Sequence, residues 1–365
     1  MGPGQSPAQG APALTVPAPL PVLPAPPSPL PRHFSPRSRA ECSISIPRCQ
    51  PPPSCHTGLM QRILLVFAIL CANASFTAQN RKPWPAQIEG AEKVIYKTIS
   101  DLKLHLHIFR PVKQKANAPA VVFFFGGGWR GGTPKQFEQQ CRYLASRGMV
   151  AMTAEYRIRN LHGTLATACV EDGKSAIRWI RSNAKMLGVD PNRIAAGGGS
   201  AGGHVAACTG VIAGFEAKGE NPKISSVPNA LLLFNPPCVL APLPERKDFL
   251  NPENIAGLRE RMGVPPAALS PWHHVKKGQP PTLVLHGEND PTVKFWTAKV
   301  FVEKMKAAGN PAELAAYPGE AHGFFNYGRG GNRMFTATMK RTDEFLAKLG
   351  WLRGKPGIVQ FLRNN

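Results

Sequence analysis

Three short stretches of the 365-residue chain hold residue types and spacings able to do chemistry. In one, Gly198-Gly199-Ser200-Ala201-Gly202 reads G-x-S-x-G, the pattern of a sharp turn that leaves a serine strained and exposed where a strand runs into a helix. Five residues matching so loosely would also suit a serine that caps a helix, so the flanks matter. Residues 193–196 are apolar enough for a buried strand, and Ala206 and Ala207 are good helix formers, which is the setting the turn requires. A serine hydroxyl is a weak nucleophile; it needs a base to take its proton and an acid to orient that base.

Both partners stand at the ends of apolar runs. Residues 282–286 read as a buried strand ended by Gly287, which delivers Asp290 to the carboxyl edge of a sheet. Glu288 competes for the acid's role, but Asp290, just ahead of Pro291, is better placed. Residues 312–317 run into Pro318-Gly319-Glu320-Ala321-His322-Gly323, a loop too rich in turn formers to be core, so His322 is expected to stand exposed there. The other histidines are less suited: His105 and His107 alternate on an early strand, His204 follows the serine, and His273 and His274 lie in an irregular stretch. The expected set is Ser200, His322 and Asp290 as nucleophile, base and acid, and acid pH should silence it, because a protonated imidazole cannot accept the serine's proton.

Attack on a carbonyl creates an oxyanion that preformed N–H donors must meet. The expected donors are the backbone N–H groups of Gly127 and Gly128, in the run Gly126-Gly127-Gly128, and that of Ala201; the glycines would otherwise only make a tight turn. Trp129, Phe324 and Phe325 are candidates for a substrate pocket or, equally, for aromatic core. Glu171-Asp172, near the start of a long helical stretch, read as helix-dipole stabilisation.

These residues need a scaffold of alternating strands and helices. From about residue 83, short β-rich runs alternate with amphipathic stretches, the pattern of an α/β fold with a mostly parallel central sheet flanked by helices. Strands are expected at 94–99 and 102–109 as an antiparallel pair, then at 120–125, 150–156, 193–196, 230–234, 282–286 and 312–317. Helices are expected at 137–147, 167–187, 201–213, 297–308 and 333–349. Residues 236–277, rich in proline and charge, interrupt this after the sixth strand and read as a small insertion that partly covers the site.

Residues 1–59 differ in kind: 1–53 alone hold more than a third of the 38 prolines, with almost no periodic apolar pattern, and are expected to be disordered. Residues 60–78 read as a signal peptide, with Gln61-Arg62 as a basic lead, a nine-residue apolar run from Ile63 and small residues at Ala72-Asn73-Ala74. Translation starting at Met60 would leave 1–59 out of the protein, and 79–365 would be the catalytic domain, secreted or periplasmic. No apolar run reaches the roughly 20 residues of a membrane span. Of eight cysteines, Cys141, Cys169, Cys208 and Cys238 remain in that domain, without metal-ligand spacing, as buried thiols or as disulfides that export would permit. No metal or cofactor is expected. The net charge of +22 is spread along helices rather than massed with aromatics, which disfavours nucleic acid and suits a basic solvated surface or attraction to an acidic polysaccharide.

Over 120–352 the chain resembles the esterase/lipase group that includes hormone-sensitive-lipase-like carboxylesterases and bacterial acetyl-xylan and feruloyl esterases. The resemblance rests on Phe123-Phe124-Phe125-Gly126-Gly127-Gly128-Trp129, Asp190-Pro191-Asn192-Arg193-Ile194, the serine motif, His286-Gly287-Glu288-Asn289-Asp290 and His322-Gly323-Phe324-Phe325. It implies an α/β-hydrolase fold and a cofactor-free serine carboxylesterase, with short acyl esters of extracellular carbohydrate as the favoured substrates. In one departure, Phe125 stands where the group has a histidine that braces the oxyanion loop, so this loop must be held by packing. The alternatives are a secreted peptidase on the same fold and a carbohydrate-binding relative without activity.

Overall fold

The computed structural model describes residues 1–2, 84, 87–247 and 250–364. Apart from Met1 and Gly2, the proline-rich leader and the signal peptide lie outside the described residues. Eight strands form one sheet: β1 (Glu92–Ile99), β2 (Leu102–Phe109), β3 (Ala118–Phe124), β4 (Val150–Ala154), β5 (Val189–Gly199), β6 (Ala230–Phe234), β7 (Thr282–Gly287) and β8 (Ala312–Tyr317). Their spatial order is β1-β2-β4-β3-β5-β6-β7-β8. β1 and β2 pair antiparallel, as does β2 with β4, and every pairing from β4 to β8 is parallel. This is the mostly parallel α/β sheet expected of an α/β-hydrolase, with its parallel part covered on both faces.

The covering helices are α1 (Glu138–Ser146), α2 (Ala166–Ser182), α3 (Ala201–Val211), α4 (Pro252–Met262), α5 (Phe295–Ala307), α6 (Arg333–Lys348) and α7 (Ile358–Asn364). β3, β6 and β7 are buried at every position, which explains their unbroken apolar runs. α3 is buried at all eleven residues, sandwiched where β3, β5 and β6 converge, and this explains why its sequence carries no polar stripe. The insertion holds α4, whose Asn251 side chain accepts a hydrogen bond from Asn254 N and whose C-terminus ends on Gly263 at φ +80°.

Several boundaries differ from expectation. β5 continues through Gly197-Gly198-Gly199 rather than stopping at 196, because the three glycines still pair with β6 and leave room for aromatic rings from β3 and from the loop after β8. A β-carbon on Gly197 would fall 2.6 Å from the Phe123 ring, and one on Gly199 would fall 2.4 Å from Phe325. The long helix expected over 167–187 ends at Ser182, and a separate turn, Ala184–Leu187, follows and closes on Gly188. Glu171 and Asp172 lie beyond the first turn of α2, so the helix-dipole reading is corrected. Asp172 is fully buried and accepts from Lys97 and Arg157, with Glu171 bridging the same two cations, which ties α2 to β1 and to the chain leaving β4. Cys141, Cys169, Cys208 and Cys238 are buried free thiols.

Candidate active site

Ser200 sits between β5 and α3 with φ +51° and ψ −121°, a conformation costly for a side-chain-bearing residue and therefore over-determined by its surroundings. Gly202 is what allows it: a β-carbon there would come within 2.0 Å of Phe124 O and 2.4 Å of Phe125 O, so α3 could not start this close to the end of β3. Ser200 N donates to Phe234 O at 2.9 Å, fixing the turn to β6 as well.

The three residues expected to act together do converge. His322 Nε2 lies 2.9 Å from Ser200 Oγ, and His322 Nδ1 lies 2.7 Å from Asp290 Oδ2. The network assigns the proton to Nδ1, leaving Nε2 to accept from the serine. His322 is part-buried rather than exposed, with 22% of its side chain accessible, because the loop after β8 folds back over the sheet's edge. Asp290 Oδ1 accepts from Thr292 N at 2.8 Å and Val293 N at 2.9 Å. Burial pushes the Asp290 carboxyl up, but hydrogen bonds from His286 and His322 and from Val293 N outweigh it and hold the group well below the usual carboxylate range. Glu288 is exposed and turns away, its backbone N–H bonded to Tyr317 O.

A feature not legible in sequence is a second imidazole on the acid. His286, fully buried in β7, places Nε2 2.8 Å from Val293 O and 3.4 Å from Asp290 Oδ2. Its position four residues before the acid, on the same motif, was the available signal.

Gly126, Gly127 and Gly128 pass directly in front of the serine: a β-carbon on Gly126 would lie 2.9 Å from Gly199 O and 3.3 Å from Ser200 Cβ. Gly127 takes φ +130° and Gly128 φ +63°, turning this strand-end loop toward the cleft. Gly127 and Gly128 line the cleft with Ser200, and Ala201 lines its other side. The expectation that packing holds the loop in place of a histidine is half the account. Phe125 stacks on Tyr156 with ring centres 4.3 Å apart, and the Tyr156 hydroxyl donates to Phe125 O. Gly126 N donates to Gln136 Oε1 at 2.6 Å, Gln136 Nε2 to Asn326 Oδ1 at 3.0 Å, and Asn326 Nδ2 to Gly323 O at 2.8 Å. Asn235 Oδ1 accepts from Gly323 N at 3.1 Å. Gln136 and Asn326 thus lock the glycine loop to the loop carrying His322, and Asn235 ties that loop to the end of β6. Gln136 and Asn326 are 190 positions apart, and no local pattern marks them.

The aromatic candidates part company. Trp129 lines a cavity of about 700 Å³ that opens from Ser200 beneath α4, with Leu258 and Trp296 on its far walls. The Trp129 indole N–H donates to His204 Nδ1 at 3.2 Å, and His204 Nε2 lies 2.6 Å from Leu269 O in the insertion. Burial pulls the His204 imidazole down to about 4, so it is a neutral tie between glycine loop and insertion. Phe325 touches a second cavity, of about 540 Å³, on the other side of Ser200, and also packs in the core against Phe137 and Phe234. Phe324 lines neither cavity; it packs against Tyr317 at 5.0 Å between ring centres, so the pocket reading is corrected to core for this residue. Among the described residues no group of three or more His, Cys, Asp or Glu could hold a metal ion, and no helix is long and apolar enough to cross a membrane.

The BD-FAE family model matches residues 106–305, which is 200 of the 365 positions and includes the glycine loop, Ser200 and Asp290. The chain belongs to the BD-FAE family. A model of the prolyl oligopeptidase family matches 263–349, a stretch holding Asp290 and His322. This BD-FAE member is similar to Esterase LipC of Mycobacterium tuberculosis, 31% identical over 218 residues that cover 57% of this chain and 53% of LipC. It is also similar to Carboxylesterase NlhH of the same organism, 27% identical over 243 residues that cover 64% of this chain and 74% of NlhH. The chain therefore spans about half the length of LipC. Among solved structures, a thermophilic esterase from the planctomycete Thermogutta terrifontis with propionate bound is 48% identical, with a TM-score of 0.69 over 73% of this chain and 97% of that one. Esterase 2 of the same species phosphonylated by sarin is 47% identical, with a TM-score of 0.72 over 75% of this chain and 100% of that one. By family and fold, the BD-FAE member described here is an α/β hydrolase similar to these esterases.

Proposed function

We propose that the protein is an exported serine carboxylesterase that works through an acyl-enzyme on short acyl esters of carbohydrate. The observation that carries the reading is the continuous hydrogen-bonded chain from Asp290 through His322 to Ser200, at 2.7 and 2.9 Å. In the proposed cycle, Ser200 Oγ attacks the ester carbonyl as His322 Nε2 takes its proton. The tetrahedral oxyanion meets the N–H groups of Gly127, Gly128 and Ala201, each such donor being worth roughly 3 kcal/mol of barrier. Collapse expels the alcohol, which takes the proton from His322 Nε2; a water then repeats the sequence on the acyl-enzyme and releases the acid.

Short acyl groups are supported by the propionate and the butyrate bound to the Thermogutta esterase. Carbohydrate is supported by the resemblance to acetyl-xylan and feruloyl esterases. Export is supported by the signal-peptide pattern of 60–78. A peptidase reading draws on the match over 263–349, a stretch that contains the acid and base but not the serine.

The test is hydrolysis of p-nitrophenyl esters of increasing chain length, beside acetylated xylan, by the chain from about residue 79. Rates should be greatest for acetyl to butyryl groups, and Ser200→Ala should reduce kcat by roughly 10⁶-fold with an unchanged melting temperature. Undiminished turnover by the Ser200→Ala protein would refute the mechanism.

A further inference from the structure

Ser200 is flanked by two cavities, and their charge is one-sided. Arg329 lines the smaller cavity beside His322 and Ser200, while Arg261 and Lys294 line the larger one. Among the described residues, Glu253 is the one carboxylate-bearing side chain lining either. Arg261, Lys294 and Arg329 form no ion pair among the described residues, whereas arginines that pack into the fold are matched: Arg147 with Asp343, Arg157 with Asp172, Arg178 with Glu216. Glu320, which shares a small surface depression with Arg329, is engaged by Arg333 at 2.5 Å.

Arg329 is also held in place. One of its terminal nitrogens donates to His322 O at 3.0 Å, which uses one of five N–H groups and ties the exposed guanidinium to the His322 loop at the rim of the cavity. A planar, pre-oriented guanidinium lacking a carboxylate partner is suited to bidentate capture of a carboxylate or sulfate, and loses little entropy in making that contact. The exposed Thr133 hydroxyl, which accepts from Lys135 N and keeps its O–H to donate, lines the same cavity and is suited to a sugar hydroxyl. We infer that the substrate is an acylated acidic sugar, and that Arg329 reads its anionic group in the cavity beside His322. The inference rests on the esterase reading above and narrows it. It also gives the basic surface a purpose, since a positive cleft concentrates polyanionic substrate.

The experiment measures acetate release from three matched substrates: an acetylated uronic acid with its carboxylate free, an acetylated glucose sulfate, and neutral acetylated glucose. Wild type should favour one or both anionic sugars over the neutral one by roughly 10–100-fold in kcat/KM, as a charge-assisted hydrogen bond allows, mainly through KM and diminishing with salt. Which anion is favoured separates carboxylate from sulfate recognition. Arg329→Gln should bring the anionic-to-neutral ratio near one, and Arg329→Lys should retain part of it. Equal rates on all three sugars by wild type would overturn the inference, as would an Arg329→Gln enzyme slowed in the same proportion on every substrate, which would make Arg329 a brace for the His322 loop alone. Hydrolysis of p-nitrophenyl acetate without any anionic preference defeats this inference and leaves the esterase reading standing; failure on every ester defeats both.

Discussion

The two walls of the cleft are built in opposite ways. Behind Ser200, β5 is buried from 194 to 199 and α3 along its whole length, with backbone approaching so closely that Gly202 admits no side chain. Facing it across the larger cavity, α4 buries Met262 alone and meets the body through contacts such as Arg159 with Glu260. The difference teaches where tolerance lies. A wall whose geometry is fixed by close-packed backbone loses stability and rate together when altered, because it cannot relax without moving the nucleophile. A wall that buries so little can change side chains at a smaller cost in stability and alter mainly which ester fits.

Four substitutions would break or sharpen that contrast. The largest effect is expected at Asp290→Asn, which keeps the shape but removes the carboxylate that fixes the His322 tautomer; kcat should fall about 10⁴-fold, and the melting temperature at neutral pH should fall with it because the depressed carboxyl stabilises the fold. Because its carboxyl is held well below the usual range, Asp290 stays ionised throughout mild acid, so carboxyl protonation should add no second step to the acid-side loss of rate. A pH–rate profile showing two protonations there would contradict this.

Next is Gly202→Ala, whose methyl would meet two carbonyl oxygens of the sheet. It should destabilise the fold by about 3 kcal/mol or more and lower kcat, both measurable by denaturant titration and steady-state kinetics. Third is the tie between glycine loop and insertion. The buried His204 has its imidazole pulled down to about 4, so its contribution to stability is whole above the unfolded value near 6.5 and is lost as pH falls toward 4. The loss should reach on the order of 3 kcal/mol, and His204→Gln, less stable at neutral pH, should show a flatter dependence over that window in thermal melts. The smallest effect is expected on the facing wall: Leu258→Ala, at a half-buried position packed on the core, should cost less stability than Gly202→Ala and alter kcat/KM for longer acyl chains by less than about tenfold. A comparable loss of stability at Leu258 and Gly202 would erase the contrast.

The sequence by itself determined what is local. Gly198-Gly199-Ser200-Ala201-Gly202 encodes its own turn, because a strained serine between strand and helix needs small neighbours whatever surrounds it. The runs at 282–286 and 312–317 end in turn formers, so Asp290 and His322 had to emerge at one edge of a parallel sheet, and the order of strands and helices followed from period alone. Tertiary structure decided everything that depends on register between distant segments. Gln136 reaches Asn326, Asn235 reaches Gly323, and Tyr156 reaches Phe125 O because β3, β4, β6 and β8 end at one level; a shift of one residue would turn these side chains to the opposite face. The same register sends Phe324 into the core, seats His286 against Asp290, and divides the space around Ser200 into two cavities, since hydrogen bonds and cavities are properties of converging surfaces and not of any single segment.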